Sequence, residues 1–437
     1  MQRLIDLFRN IVGPTAVMAA GTMGAGAVAS FILAGAWFRY DLLWVVLVML
    51  PLFVISVDSA SRIGSLNPDQ GMFSLIRQRI HPGAAWLLLA INIPVHLLII
   101  MGQMSVMTSS LTSLFGFYPP DTGSTLQYAQ NYRWVEIGLS LLCALGILGL
   151  ILSQGYERMQ KAMSLLMVLM FGCFLVVALR GFSEIADIPR GFVPQIPDDL
   201  PIPGTADSRS STSSIIAVVG SAVAPAALLG MPYLASDARK GESTLKQDLR
   251  NSILNLGVIF GAYAMFIIIA GGYALFPLAN HGQIDAVHEA GKVLQRALPA
   301  SLAFIGPTIF SAGVFMAAMT TLIVAAQVSA YFCLDMFGKS WRFSADNRTY
   351  HRLLTLLILV PSVLAPFWDF PALLKVVLLM GANVIVIPMV YCIVIYLVTQ
   401  RNVVGEHRAA CWRILILVRA VTPSPTLASR ELPPSAR

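Results

Sequence analysis

Two apolar stretches of the chain contain residues that interrupt a helix, and the interruptions could bind a solute through the backbone. The first stretch runs from Ile11 to Trp37 and has three glycines within six positions, between Gly21 and Gly26. Each glycine weakens a helix by roughly 1 kcal/mol relative to alanine. The second stretch, Ile215 to Leu234, is interrupted by a proline-containing segment at Gly220–Ala226. Two interrupted helices, one in each half of a membrane chain, predict a transport site between them.

The candidate substrate-binding residues are those at the two interruptions, together with one amide in a later apolar segment. Unwound backbone inside a membrane is tolerated only where it is buried in protein or lines a cavity. Its carbonyl oxygens and the half-helix ends beside it can face a cation or an anion. The candidates are Met23, Gly24, Ala25, Gly26, Ala27, Val223, Ala224, Pro225, Ala226 and Asn383.

Polar residues inside other apolar segments are candidates for a pathway to this site. Asn92 and His96 lie four residues apart around Pro94, on one face of a helix. They either line the pathway or satisfy backbone carbonyls that the proline leaves free. Gln327 is interpreted as packing between helices, with a pathway role as the alternative. Asn383 either lines the site or forms an interhelical hydrogen bond.

Two charged residues inside apolar segments are expected to lie near water, outside the site. Asp58 falls near the end of the second apolar segment, where solvation at the membrane interface explains it. Lys375 has a long aliphatic stem and is expected to extend its ammonium group outward as an anchor.

The composition predicts a membrane protein embedded in a lipid bilayer. Hydrophobic residues make up 57% of the chain and charged residues 12%, whereas soluble domains carry roughly 25% charged residues. The basic residues that give the net charge of +7 lie between the apolar segments. They are typical of cytoplasmic loops and not of a nucleic-acid partner. No enzyme motif is found, and no cofactor is expected.

Apolar runs long enough to cross a bilayer predict ten spans in an all-α polytopic fold. Basic residues in alternate loops place the N-terminus in the cytoplasm of a bacterial-type inner membrane. The spans are expected at 11–37, 42–61, 84–115, 134–154, 160–180, 214–235, 252–277, 301–335, 352–368 and 372–398. Five spans in each half make the second half inverted relative to the first, and each half begins with an interrupted helix.

These spans divide the chain into four predicted segments. Residues 1–182 form the first inverted repeat and residues 214–398 the second. Residues 183–213, rich in Pro, Asp, Ser and Thr, form an external loop between them. Residues 399–437 are expected to be a cytoplasmic segment with a partial eleventh helix at 409–421 and a disordered tail.

Several short motifs resemble the Nramp (natural resistance-associated macrophage protein) family of metal transporters. They are Gly13-Pro14, Ile32-Leu33-Ala34-Gly35, Leu42-Leu43-Trp44, Ser61-Arg62-Ile63-Gly64, Gly172-Cys173-Phe174, Ala312-Gly313, Ala326-Gln327, His351-Arg352-Leu353-Leu354 and Gly405-Glu406-His407-Arg408. The resemblance covers nearly the whole chain up to about Arg413. It implies a LeuT-type 5+5 inverted repeat of about 10–11 transmembrane helices, with helices 1 and 6 broken. It also implies secondary transport of divalent metal ions such as Mn²⁺ or Fe²⁺, typically coupled to protons.

The sequence departs from the family at the metal site and at the positions that carry protons. The family's Asp-Pro-Gly-Asn falls on Gly24–Ala27 and its Met-Pro-His falls on Ala224–Ala226, so no side-chain metal ligand is identified. The acidic positions of the third helix fall near Ile100 and Gln103, which adds Gln103 to the pathway candidates. The histidine positions become Ala226 and Met231. Because a proton relay needs titratable groups, transport without proton coupling is predicted.

The resulting prediction is a transporter of divalent cations, with Mg²⁺ or Mn²⁺/Fe²⁺ as the substrate. Mg²⁺ usually keeps several waters when it binds a protein, and small side chains at the interruptions leave room for a partly hydrated ion. One alternative keeps the fold and replaces the substrate by a small organic solute such as an amino acid, whose carboxylate would meet half-helix amides. Another is a membrane binding or sensor protein without transport activity.

Overall fold

A computed structural model describes most of the chain as a bundle of helices. The described residues are 14–117, 125–153, 172, 174–176, 178–179, 186–202, 208–238, 245–276, 287–291, 295, 301, 303–344 and 346–419. Within them, eight helices are long and apolar enough to cross a membrane. The chain is therefore an integral membrane protein. Most of the predicted fifth span, at 160–180, lies outside the described residues, as does the predicted tail after residue 419.

The first half of the bundle begins with two short helices where the sequence predicts one interrupted span. Its α-helices are α1 Pro14–Thr22, α2 Ala25–Phe38, α3 Leu43–Leu66, α4 Met72–Arg79, α5 Pro82–Leu114 and α6 Leu126–Ser153. Helix α6 starts earlier than the predicted residue 134, because its polar first two turns continue the helix beyond the apolar run. Helix α5 starts at Pro82, whose fixed φ suits a first helical position.

A short segment outside the bundle joins the two halves. It contains a 3₁₀ helix at Ile188–Phe192 and a small antiparallel hairpin of β1 Leu200–Pro201 and β2 Ser208–Arg209, in which Leu200 lies opposite Arg209. Asp199 then accepts hydrogen bonds from the backbone N–H of Ser211 (2.9 Å) and from its hydroxyl (3.2 Å). The segment is thereby attached to the start of the second half.

The second half also begins with two short helices, α7 Ser211–Ala222 and α8 Pro225–Ala238. The next span combines α9 Leu245–Ser252, a π-helix at Ile253–Ile259 and α10 Phe260–Ala274. The remaining elements are α11 Val287–Ala290, a 3₁₀ turn at Ala303–Ile305, α12 Gly306–Met336, α13 Arg348–Leu364, a 3₁₀ turn at Ala365–Phe367, α14 Ala372–Thr399, α15 Arg401–Val404 and α16 Cys411–Arg419. Helix α16 lies within the 409–421 piece predicted from sequence, of which residues 420 and 421 lie outside the described residues.

Glycines let α2 and α10 pack backbone to backbone. A Cβ atom at Gly35 would lie 2.2 Å from the carbonyl oxygen of Ile268, and one at Gly271 would lie 2.5 Å from that of Ile32. Such close approach by small residues is how membrane helices associate, because apolar side chains gain little there over lipid. The packing fixes α2, the second part of the first broken span.

Asp335, at the end of α12, joins three parts of the bundle. It accepts hydrogen bonds from the backbone N–H groups of Phe73 (2.9 Å) and Ser74 (3.1 Å) and from the hydroxyl of Tyr233 (2.6 Å). The hydroxyl of Ser74 also donates to it. The carboxylate satisfies free N–H groups in the first turn of α4, where a negative charge is favoured. It thus ties α4 and α8 to α12.

Asp58 is buried at the same end of the bundle, contrary to the expectation that it meets water. Its side chain is 0% exposed and accepts a hydrogen bond from Arg62 at 2.9 Å. Arg413 of α16 donates to the same carboxylate oxygen. The expectation was wrong because the C-terminal helix α16 covers this position. Asp58, Arg62, Tyr233, Asp335 and Arg413 are called the charged layer below.

Lys375 also differs from its predicted placement. It is 5% exposed, and its Nζ donates to the hydroxyl of Ser105 at 3.1 Å while lying 5.4 Å from the centre of the Trp368 ring. The ammonium group therefore points between α5 and α14 and not outward along the helix. A hydroxyl and an aromatic face stabilise the cation in place of water.

Candidate functional site

The two interruptions are short non-helical links between paired half-helices. Helix α1 ends at Thr22 and α2 begins at Ala25, while α7 ends at Ala222 and α8 begins at Pro225. The hydroxyl of Thr22 donates to the carbonyls of Met18 (3.0 Å) and Ala19 (2.9 Å) and so provides a hydrogen-bond donor to carbonyl groups near the C-terminal end of α1. Proline starts α8 because its missing N–H would have no helical partner there.

A cavity of about 50 Å³ lies between the two interruptions. A water molecule needs roughly 10–15 Å³ measured in this way, so the cavity has room for a few waters or for one ion with part of its hydration shell. Residues of both broken spans and of α5, α12 and α14 line it: Met18, Gly21, Thr22, Gly24, Gly26, Ala27, Ile99, Gln103, Ser221, Ala224, Ala226, Ala227, Thr321, Val324, Ala325, Met380 and Asn383.

The structure brings seven of the residues singled out from sequence to this cavity. They are Gly24, Gly26, Ala27, Gln103, Ala224, Ala226 and Asn383. Met23, Ala25, Val223 and Pro225 belong to the interruptions but do not line it. Met23 is fully buried, and its carbonyl accepts a hydrogen bond from the hydroxyl of Tyr263 at 3.3 Å. It therefore faces α10 and not the cavity.

Among the polar side chains that line the cavity, Gln103 has the least satisfied hydrogen-bonding groups. The residue is 0% exposed, and neither its amide nitrogen nor its amide oxygen has a hydrogen-bond partner among the residues that the structure describes. Buried polar atoms are paired in the large majority of cases, and an unpaired one costs about 1–3 kcal/mol. An unpaired amide facing a cavity is therefore available to a solute.

Asn383 connects α14 to the second interruption. Its amide nitrogen donates to the carbonyl of Gly220 at 3.5 Å and lies 3.9 Å from the sulfur of Met380. The same side chain therefore lines the cavity and reaches across to another helix. Gln103 and Asn383 present amide groups to the cavity from different helices.

The other pathway candidates lie away from the cavity. Asn92 donates to the carbonyl of Leu88 at 2.8 Å, within its own helix. His96 pairs through Nδ1 with the hydroxyl of Ser329 at 2.8 Å. That hydroxyl donates to the carbonyl of Ala325 at 2.7 Å, so we assign Nδ1 as the donor to it. Gln327 is buried within α12.

Sequence reasoning missed several residues that line the cavity, notably Met18, Thr321, Val324 and Met380. Thr321, Val324 and Ala325 lie three and four residues apart and therefore share one face of α12. That spacing is visible in the sequence, but which face meets the first interruption depends on packing. The two methionines, Met18 and Met380, line the cavity from positions other than the family's own methionine.

None of the described residues that line the cavity carries a charged side chain. Within the described part of the chain, no group of three or more His, Cys, Asp or Glu residues lies close enough to hold a metal. Polarity at the cavity comes instead from amides, hydroxyls and helix ends. The C-terminal ends of α1 and α7 carry partial negative charge and the N-terminal ends of α2 and α8 partial positive charge.

Two broken helices around a buried central cavity, within a bundle of membrane-spanning helices, define a protein of the LeuT-type inverted-repeat fold. The family model "Natural resistance-associated macrophage protein-like" matches residues 15–423. The chain belongs to the Nramp family. A comparison with curated proteins finds no match.

Solved structures of transporters share this fold at low sequence identity. A manganese transporter of Eremococcus coleocola, in complex with an aromatic bis-isothiourea substituted compound, is 14% identical with a TM-score of 0.68, covering 94% of this chain and 84% of that chain. MhsT in complex with L-phenylalanine is 14% identical with a TM-score of 0.64, covering 94% of this chain and 95% of that chain. Mhp1, a nucleobase-cation-symport-1 family transporter, is 13% identical with a TM-score of 0.54, covering 92% of this chain and 81% of that chain.

Proposed function

We propose that this protein is a secondary transporter of divalent metal cations, with Mn²⁺, Fe²⁺ and Mg²⁺ as the candidate ions. The observation that carries the proposal is the buried, unpaired amide of Gln103 in the cavity between the two interruptions. An amide oxygen is a ligand that hard divalent cations accept. Family membership supports the substrate class, and the similar Eremococcus coleocola protein is described as a manganese transporter.

In this proposal, the ion is held by neutral groups and keeps part of its water. Gln103 supplies an amide oxygen, and the small residues at Gly24–Ala27 and Ala224–Ala226 leave space for hydration. Thioether sulfur suits transition metals and contributes nothing to Mg²⁺. A Met380→Leu variant is therefore expected to reduce uptake of Mn²⁺ several-fold while leaving uptake of Mg²⁺ unchanged.

Uptake in proteoliposomes tests the function directly. The purified protein is reconstituted with a divalent-sensitive dye inside, and Mn²⁺, Mg²⁺ and Ca²⁺ are offered outside. We expect saturable uptake that is lost in Gly24→Trp, because that side chain would fill the cavity. Gly138→Trp is the matched control, since a Cβ at the exposed Gly138 meets no atom within 4 Å. Equal uptake by Gly24→Trp and the control would contradict the assignment of the site.

Transport without proton coupling is part of the proposal. In the part of the chain that the structure describes, no Asp, Glu or His lines the cavity, and a proton relay through a membrane needs titratable groups. A pH-sensitive dye inside the same vesicles should report no acidification beyond that of empty vesicles during cation uptake. Proton entry that follows the uptake of the divalent ion would refute this part.

A small organic solute such as an amino acid is the second candidate, and the uncharged cavity between helix ends of both polarities favours it. Amino acids are then expected to raise the unfolding temperature of the purified protein, while divalent ions leave it unchanged. If neither solute is carried by a protein that is correctly folded, the chain acts as a binding or sensor protein.

The proposal also includes the orientation of the chain in the membrane and its division into two repeats, a loop and a terminal segment. Residues 1–182 and 214–398 form the two inverted repeats, residues 183–213 lie outside, and residues 399–437 lie in the cytoplasm. Arg77 and Lys339 at one end of the bundle, and Asp198 at the other, support this assignment. A membrane-impermeant thiol reagent should label Asp198→Cys in intact cells but not Asp346→Cys; the reverse pattern would invert the assignment.

A further inference from the structure

The C-terminal helix α16 presents an apolar face away from the bundle. Trp412, Leu415 and Val418 lie three residues apart and therefore share one face of the helix. Among the residues that the structure describes, they are 50%, 68% and 40% exposed. On the opposite face, Arg413 and Leu417 are buried, and α16 contacts α3 and α14 there. A helix on a water-facing surface usually has its apolar side chains inward, so this outward apolar face indicates a partner.

The position of α16 places this face at the surface of the bilayer. The backbone N–H of Ala409, just before the helix, donates to the carbonyl of Val398 at 3.1 Å. Val398 lies in the last turn of the α14 span, so α16 begins at the level where that span ends. With nine residues, α16 is about 13 Å long, roughly half of what a span needs. These features are typical of a helix that lies in the membrane interface.

Basic residues flank the apolar face. Arg401 and Arg408 are exposed in the segment that leads into α16, and Arg419 is the last residue of the helix. Glu406 is the one acidic residue between positions 400 and 419 of the sequence, so this segment is net positive. An anionic phospholipid offers acyl chains to the apolar side chains and a negative headgroup to the arginines. Charge complementarity therefore favours an anionic lipid over a neutral one.

Arg413 connects the exposed face to the interior of the bundle. Its guanidinium carbon lies 5.0 Å from the centre of the Trp412 ring, and the same group donates to the buried carboxylate of Asp58. Asp58 also accepts a hydrogen bond from Arg62 of its own helix, so it keeps a cationic partner if α16 moves away. A contact that holds Trp412 in place therefore also favours the position in which α16 is packed on α3.

We propose that α16 is an interfacial helix that binds an anionic phospholipid through Trp412, Leu415 and Val418. The exposed arginines beside this face hold the headgroup. Bound lipid keeps α16 where Arg413 meets Asp58, and so stabilises the packing of α16 on α3. This binding does not depend on which solute the central cavity carries, nor on which side of the membrane α16 lies.

Quenching of Trp412 fluorescence by brominated lipid tests this inference. The wild type and Trp412→Phe are reconstituted in phosphatidylcholine vesicles that contain brominated phosphatidylglycerol or, at equal content, brominated phosphatidylcholine. The difference in fluorescence between the two proteins reports Trp412. We expect brominated phosphatidylglycerol to quench this signal at least about twofold more than brominated phosphatidylcholine. Equal quenching by both lipids, or quenching by neither because protein covers the face, would overturn the inference.

A negative charge on the exposed face locates the site. Leu415→Glu should abolish the preference for phosphatidylglycerol, because a carboxylate repels the anionic headgroup. Val193→Glu is the matched control, since Val193 is 60% exposed and lies in the segment between the two halves. Phosphatidylglycerol should raise the unfolding temperature of the wild type and the control, but not that of Leu415→Glu. A Leu415→Glu protein with the wild-type preference would contradict the assigned surface.

Arg413→Met separates lipid binding from its effect on the bundle. The exposed face is unchanged in this variant, so phosphatidylglycerol should still quench Trp412 preferentially. The rise in unfolding temperature should be lost, because α16 is no longer joined to Asp58. An equal rise in the wild type and in Arg413→Met would contradict the role given to Arg413.

Discussion

The central cavity and the charged layer differ in the kind of buried polar groups that they contain and in how many bonds those groups make. In the charged layer, Asp335 accepts four hydrogen bonds and Asp58 accepts bonds from two arginines. In the cavity, as far as the described residues show, Gln103 has no hydrogen-bond partner and no lining residue is charged. Carboxylates of the charged layer hold helices together at one end of the bundle. Neutral polar groups, in contrast, line the cavity between the interruptions.

The largest expected effect is the loss of the Asp335 carboxylate. Asp335→Asn places an amide N–H among donors from α4 and α8, so we expect the free energy of unfolding to fall by about 3 kcal/mol or more. Unfolding of the purified protein by added SDS measures the change. The exposed Asp346→Asn is the control for loss of charge. A value within about 0.5 kcal/mol of the control, the usual effect of a surface substitution, would contradict the role of the layer.

Loss of Arg413 should have the next largest effect. Arg413→Met leaves Asp58 buried with Arg62 as its remaining cationic partner, which should lower the free energy of unfolding by about 2 kcal/mol, less than the full cost of breaking a buried ion pair. The same SDS titration applies, with the exposed Arg408→Met as the matched control. If Arg413→Met behaves like Arg408→Met, α16 does not stabilise the bundle through Asp58.

Gly24→Ala tests the close packing beside the cavity. The added methyl group would overlap the Thr321 hydroxyl at 1.5 Å, so we expect a loss of about 1–3 kcal/mol, as for other overpacked sites. Gly381→Ala is the matched control in α14, where the nearest atom to an added Cβ is 3.9 Å away. There the substitution should stabilise the helix by up to about 1 kcal/mol. Opposite signs for the two variants are the expected result in thermal unfolding.

The smallest effect concerns Asp41, between α2 and α3 at the end of the bundle opposite the charged layer. Burial raises the pKa of the Asp41 carboxyl above its ordinary value, and the Gln195 amide (3.4 Å) and Arg39 only partly oppose this. The folded state holds the proton more tightly than the unfolded state. Asp41 therefore destabilises the fold as the pH rises from its pKa in the unfolded chain through its higher pKa in the folded protein.

Asp41→Asn should therefore be slightly more stable than the wild type near pH 7, and this advantage should disappear below about pH 4. Thermal unfolding at the two pH values measures the difference. Asp198→Asn, an exposed position in the segment between the two halves, is the control for charge loss. An advantage that is the same at both pH values would show that the titration of Asp41 does not cause it.

The broken helices could be predicted from sequence because glycine and proline act locally. The spacing at Gly21–Gly26 and at Pro225 is enough to place both interruptions. The resemblance to the family adds Gln103, and Asn383 stands out as an amide within an apolar segment. Which atoms face the cavity could not be predicted, because helix rotation is set by packing between distant segments. Thr321 meets Gly21 across 300 residues of chain.

The errors at charged residues have the same cause. Asp58 and Lys375 were expected near water on the basis of their positions within single spans. Their partners lie far away in sequence: Arg413 is 355 residues from Asp58, and Ser105 is 270 residues from Lys375. A local pattern predicts that a charge in a span needs a partner or water, but it does not identify the partner.

The measurement that tests the central claim most directly is divalent uptake by Gln103→Leu in proteoliposomes, with its free energy of unfolding determined in parallel. Replacing an unpaired amide by an apolar group should leave stability unchanged or raise it by about 1 kcal/mol, while uptake is lost. Asn92→Leu, which removes an amide bonded to its own helix, should retain uptake. Uptake at the wild-type rate by Gln103→Leu would contradict the claim that the cavity amide binds the transported ion.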